Sequence, residues 1–292
     1  MYVGTDTRDV YHAGWNVSTE TITPRDAERF LQGYTTCDLT RLDRTPALLG
    51  AICNIQGKVL TTLIVARIPL QAHSISNQPA AQSAPARSDE TTLLLRMERN
   101  SVKAVQSFLS KYIVFSKAEM TDLSDKWYCY GTYTQAVMTD TVSIDIPAMS
   151  PRREIWSPQK LSATGSVARW LAEDIKTGIV WINPETSDQY LPHSLNLHNL
   201  QGIDFDKGCY LGQEIIARVH YLGATKKNLF AGASSQPLQL HTDLTLQNKV
   251  IGSIIATAQS RKEHFFLAIL NSAAEHIEVS ANNTNLDFSR IS

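Results

Sequence analysis

From residue 227 to residue 280 the sequence offers short apolar runs parted by turns, with no helical period. The runs fall at 227–231, 249–258, 264–270 and 277–280. Short strands in this number bury their faces only against one another, so a small β-barrel or sandwich is expected. Upstream the periods are mixed. Thr23 can cap a helix that has Pro24 at its first position, and Asp26 completes a capping-box-like spacing. Ala27, Phe30 and Leu31 share a face, and Gly33 can end that helix in a left-handed turn. Runs at 48–53 and 59–68 read as strands around the turn Asn54-Ile55-Gln56-Gly57.

Residues 69–91 hold Pro, Ala, Ser and Gln with almost no large apolar side chain. A flexible insertion in a hairpin is expected there, with 92–97 as the returning strand. From Asn100 the pattern turns helical, with Val105, Phe108, Leu109 and Tyr112 on one face. A strand at 127–138 and an irregular connection at 147–158 follow. A further helix is expected at 166–177, with Val167, Trp170, Leu171 and Ile175 on one side and Gly178 as its stop. The class is α+β. There is no phosphate loop, no GxGxxG and no solenoid repeat.

The 292 residues are 43% hydrophobic and 19% charged, which suits a folded core, and the net charge of −1 gives no basic field for nucleic acid. No apolar run approaches the roughly 20 residues that span a bilayer. The opening residues carry no basic region followed by an apolar stretch, so the cytoplasm is the expected location. Cys37, Cys53, Cys129 and Cys209 are scattered without metal-ligand spacing, so neither a zinc site nor a disulfide framework is expected.

Cys209 stands apart from the other three. It lies between Lys207-Gly208 and Tyr210-Leu211-Gly212, ahead of a helix in which Ile215, Ile216 and Val219 share a face. Free amides and the positive end of that helix favour a thiolate there, and Lys207 adds a cation two residues away. Gly208 and Gly212 allow a tight bend or a close approach to a ligand. The plain alternative is a small turn cysteine beside a solvated lysine. His220 reads as an exposed helix-end histidine.

The segment "KGCYLGQEIIAR" (207–218) resembles the signature of the YgfZ family of folate-binding proteins. "FLQGYTTCDLT" (30–40), "GAICNIQGKVLTTLIVAR" (50–67), "KYIVFSKAEM" (111–120) and 170–210 are similar to further blocks of that family, in the same order. The family is related to the T-protein of the glycine cleavage system, a tetrahydrofolate-dependent aminomethyltransferase. The resemblance implies a three-domain ring around a central folate-sized hole. Residues 1–225 would form the folate-binding region from two interleaved α+β subdomains, and 226–292 a C-terminal β-barrel. It also implies support of iron–sulfur proteins, including enzymes that methylthiolate tRNA. By the same resemblance Cys209 and Lys207 are the reactive pair. Trp170, Trp15, Gly208, Gly212, Gln213 and Glu214 are the folate contacts, and no metal is expected.

Two departures matter. Thr61 and Thr62 stand where the T-protein pattern carries its catalytic acid, and a hydroxyl cannot supply a carboxylate's charge. Lys176 stands where relatives carry a glutamate suited to the pterin's donor edge, which leaves Glu173 or Asp174 to take over. Cys37, Cys53 and Cys129 read as buried thiols. Lys58, Lys111 and Lys117 read as surface charge or as a basic rim.

The expected function is therefore a monomeric, tetrahydrofolate-binding accessory factor for iron–sulfur client proteins, linked to tRNA only indirectly. The alternatives are a folate-dependent aminomethyltransferase that uses Asp38 or Asp43, and a direct RNA binder.

Overall fold

The computed structural model describes residues 2–4, 13–14, 24–69, 91–133, 141–145, 152–162, 165–223, 225–271, 279–281 and 284–291. Its first sheet has the order β2-β5-β4-β3, from β2 (Ala13–Gly14), β3 (Ala47–Cys53), β4 (Val59–Pro69) and β5 (Thr91–Met97). All seven residues of β3 are buried, so this apolar run is covered on both faces. The period of two divides the sheet. Leu48, Ile52, Leu63, Val65, Leu93 and Leu95 pack towards α1 (Pro24–Gln32) and α2 (Val102–Ile113), with Leu31, Val105 and Leu109 opposite. Leu49, Ala51, Cys53, Val59 and Ile64 point the other way, into the larger core shared with Trp170, Ile182, Tyr210 and Ile216. Strands β4 and β5 pair from Leu63↔Met97 out to Pro69↔Thr91. The insertion expected at 69–91 lies, from residue 70 to 90, outside the described residues.

The second sheet has the order β1-β6-β8-β7, from β1 (Tyr2–Gly4), β6 (Tyr128–Thr132), β7 (Val142–Asp145) and β8 (Arg153–Ser157). Strand β8 corrects the reading of 147–158 as irregular, since it is an interior strand paired on both sides. Its pattern was masked because Glu154, a charged residue, faces the interior, where Arg96 of β5 meets it at 3.0 Å. Gly33 also departs from expectation, because it is not among the glycines with positive φ. Gly178, at φ +72, does end α3 (Val167–Lys176) as expected.

After α4 (Gln213–Leu222) come β9 (Lys227–Ser234), β10 (Asp243–Leu246), β11 (Lys249–Ser260), β12 (Glu263–Asn271), β13 (Val279–Ala281) and β14 (Thr284–Arg290). They close in the order β10-β11-β12-β9-β14-β13. Phe230, Leu244, Ile254, Phe266 and Leu286 form one core of this barrel. Leu229, Ile255, Phe265, Leu267 and Ile269 belong instead to the large core that includes Ala172 and Ile175 of α3. Strands β10 and β14 were not anticipated from the sequence. The expected run at 277–280 is described only from residue 279.

Candidate functional site

Residues 202–212 are laced to residues 31–37, the connection that follows α1. Thr36 Oγ1 donates to the Gly202 carbonyl at 2.5 Å, and the Asp204 amide donates to the Thr36 carbonyl at 2.9 Å. The Lys207 ammonium donates to the carbonyls of Gln32, Thr35 and Cys37 at 2.8, 2.7 and 2.8 Å. The Leu211 amide closes the lacing on the Gly33 carbonyl at 2.9 Å. Lys207 is thus neither solvated nor loose. Burial lowers its pKa to about 8, against the raising pull of Cys37, Asp38 and Asp204, so it remains a cation at neutral pH.

Between these two anchors the chain arches outward. A β carbon on Gly208 would meet nothing within 4 Å, and Cys209 is exposed. Cys37, Cys53 and Cys129 are buried, and burial raises the pKa of each, which leaves them inert thiols. Tyr210 turns back into the core beneath the arch, 5.0 Å from the Lys207 ammonium. Gly212, at φ +84, then caps α4. Its close approach is to backbone, because a β carbon there would stand 2.5 Å from the Asn54 carbonyl oxygen. Gln213 accepts from the Tyr210 amide at 3.3 Å, and exposed Glu214 pairs with Arg218 at 3.0 Å.

No protein-family model matches the chain. It is 28% identical over 259 residues to the tRNA-modifying protein YgfZ of Cronobacter sakazakii, which covers 82% of this chain and 77% of that protein. The chain is a relative of YgfZ. A second likeness shows the fold alone. The crystal structure of the glycine cleavage system aminomethyltransferase T from Bartonella henselae superimposes with a TM-score of 0.64 at 11% identity, over 100% of this chain and 84% of that one.

In this YgfZ relative, α3 gives a pterin little to hold. Trp170 is buried, and a β carbon on Gly131 would collide with its ring. Arg152 lies over that ring at 4.7 Å, and Tyr133 meets it edge-on at 5.9 Å. Asp174 is fully enclosed, with Arg152 at 2.8 Å and the Trp181 indole N–H donating at 2.9 Å. Burial raises its pKa despite the Arg152 charge. Glu173 pairs with Lys176 at 3.0 Å, and the Lys176 ammonium lies 4.5 Å from the centre of the Phe265 ring on β12. Neither acid expected to replace the glutamate is therefore free, and α3 does not fit a pterin in the way the resemblance implies. Trp15 lies outside the described residues.

The two threonines at the acid position are structural. Thr62 Oγ1 donates to the Val180 carbonyl at 2.7 Å and accepts from the Ile182 amide at 3.0 Å. Asp38 accepts from Gln32 and Thr40, and Asp43 pairs with Arg67. Sequence reasoning missed the buried charges. Arg96, paired with Glu154, also lies 3.6 Å from the centre of the Trp181 ring. An arginine inside the apolar strand "TTLLLRM" was the available signal. It also missed the company of His220, whose ring stacks on Phe205 at 3.6 Å, with His193 at 6.2 Å and His198 a further 5.4 Å from His193. Among the described residues no group of His, Cys, Asp and Glu is placed to hold a metal ion, and no helix is long and apolar enough to cross a membrane.

Proposed function

We propose that this YgfZ relative is an accessory factor for the assembly or repair of iron–sulfur proteins, with Cys209 as its working thiol. The observation that carries the reading is the exposure of Cys209 in mid-arch, while the other three cysteines are sealed. Its relative in Cronobacter sakazakii is called tRNA-modifying. For this chain the link to tRNA runs through client enzymes that carry clusters, since the net charge of −1 offers no phosphate-binding field.

Tetrahydrofolate is the ligand in this reading, on the resemblance of segments such as 207–218 to the YgfZ family of folate-binding proteins. In this reading it sits in a central opening of a three-domain ring formed by residues 1–225 and the 226–292 barrel. It is held weakly, because the α3 carboxylates are engaged elsewhere. No chemical step is assigned to it. The protein acts as a cytoplasmic monomer. The transferase reading is disfavoured by Thr62, whose hydroxyl is committed to Val180 and Ile182.

The deciding experiment is complementation of a strain lacking the endogenous factor, read as activity of a cluster-dependent tRNA-methylthiolating enzyme. Cys209→Ala is expected to fold normally and to restore none of that activity. Full rescue by the variant would remove the thiol from the function.

A further inference from the structure

We infer that Lys207 is a positioning residue: its ammonium fixes the foot of the Cys209 arch to the carbonyls of residues 32, 35 and 37, and its charge is not what activates the sulfur. This deepens the proposed function and rests on Cys209 being the working thiol. An ammonium has three N–H donors, and three backbone carbonyls receive them at 2.7–2.8 Å. Those oxygens turn the negative ends of their peptide dipoles to the ammonium and solvate the cation where it sits. With 8% of its surface exposed, Lys207 makes these bonds inside the fold rather than at its surface. The far foot of the arch, the Leu211 amide on the Gly33 carbonyl, lands on the same short connection. Gly208 and Cys209 thus span a gap whose two ends are set by one turn of chain. Arginine cannot substitute, because a planar guanidinium fork does not match three carbonyls gathered around a point.

The test uses the native full chain and the rate at which iodoacetamide alkylates Cys209 as a function of pH. The buried Cys37, Cys53 and Cys129 stay silent while the protein is folded. Lys207→Gln keeps N–H donors and removes the charge; Lys207→Met removes both. For Lys207→Gln the pH–rate profile is expected to superimpose on that of the unmodified protein. For Lys207→Met the profile is expected to keep its midpoint, while the Leu211 amide exchanges with solvent about tenfold faster or more. Displacement of both profiles to higher pH would overturn the inference and make Lys207 an electrostatic activator. Unchanged Leu211 exchange in Lys207→Met would overturn it too. If Lys207→Met does not fold, the Lys207→Gln profile alone decides. Full rescue by Cys209→Ala in complementation would overturn the proposed function and leave these measurements standing, so the two readings fail separately.

Discussion

Gly212 and Gly57 meet backbone to backbone: a β carbon on Gly212 would stand 2.9 Å from the Gly57 α carbon. Both residues have positive φ, +84 and +73. This contact seats the start of α4 on the β3–β4 turn and so sets where the arch ends. Gly212→Ala is expected to cost about 2–4 kcal/mol, from strain at positive φ plus the displacement of Asn54. Gly208→Ala, with open space and no positive φ, is expected to stay within about 0.5 kcal/mol of the parent. Urea unfolding of the two variants checks the contrast.

The buried Arg152–Asp174 pair joins the start of β8 to α3. Removing one partner strands the other charge in the core. Asp174→Asn is expected to cost about 3–5 kcal/mol, and Arg152→Met a similar amount. Changing both to apolar residues is expected to recover part of the loss. A double-mutant cycle by chemical denaturation measures this.

His193 is buried, and among the described residues neither of its ring nitrogens has a hydrogen-bond partner. Burial first, then the neighbouring His198 and His220, lower its pKa to about 4 from 6.5. The unfolded chain therefore binds the extra proton between those values. Stability is full above about pH 6.5 and falls as pH drops towards 4, by roughly 3 kcal/mol from this residue. His193→Phe is expected to lose less stability than the parent between pH 7 and pH 4.5, as read by denaturant midpoints at the two pH values.

Lys176→Glu returns a carboxylate to the last turn of α3. Under the proposed weak folate binding, the variant is expected to bind tetrahydrofolate more tightly, by about tenfold for one charge-assisted hydrogen bond. Quenching of intrinsic tryptophan fluorescence measures the change. Unchanged or weaker binding would remove α3 from the folate site.

Much of the fold was legible. The apolar run of β3 and the Asn54–Gly57 turn lie where local pattern put them; of the stripe expected on α3, Trp170 and Ile175 are buried, Val167 and Leu171 are only half-buried, and Ala172 and Asp174 are buried with the first two. Strand β8 was not legible, because Glu154 faces inward and breaks the polar-out rule; Arg96, 58 residues upstream, and the Trp156 indole N–H make that tolerable. The cysteine was legible as unusual from its glycines. The role of its lysine was not, since the three oxygens that receive it are backbone atoms and leave no side-chain signature. Trp170 was legible as a core residue from its stripe, and burial beneath Arg152 agrees with that plain reading.

Among the described residues the C-terminal barrel is closed by the pairing of β10 with β13. Among those residues the two strands pair through Thr245 and Ser280, and this pairing joins the two ends of the strand order. Parting β10 from β13 would bare two strand edges at once, each able to template a neighbour's chain. Closure of the barrel therefore also withdraws two edges along which a second copy of the chain could add.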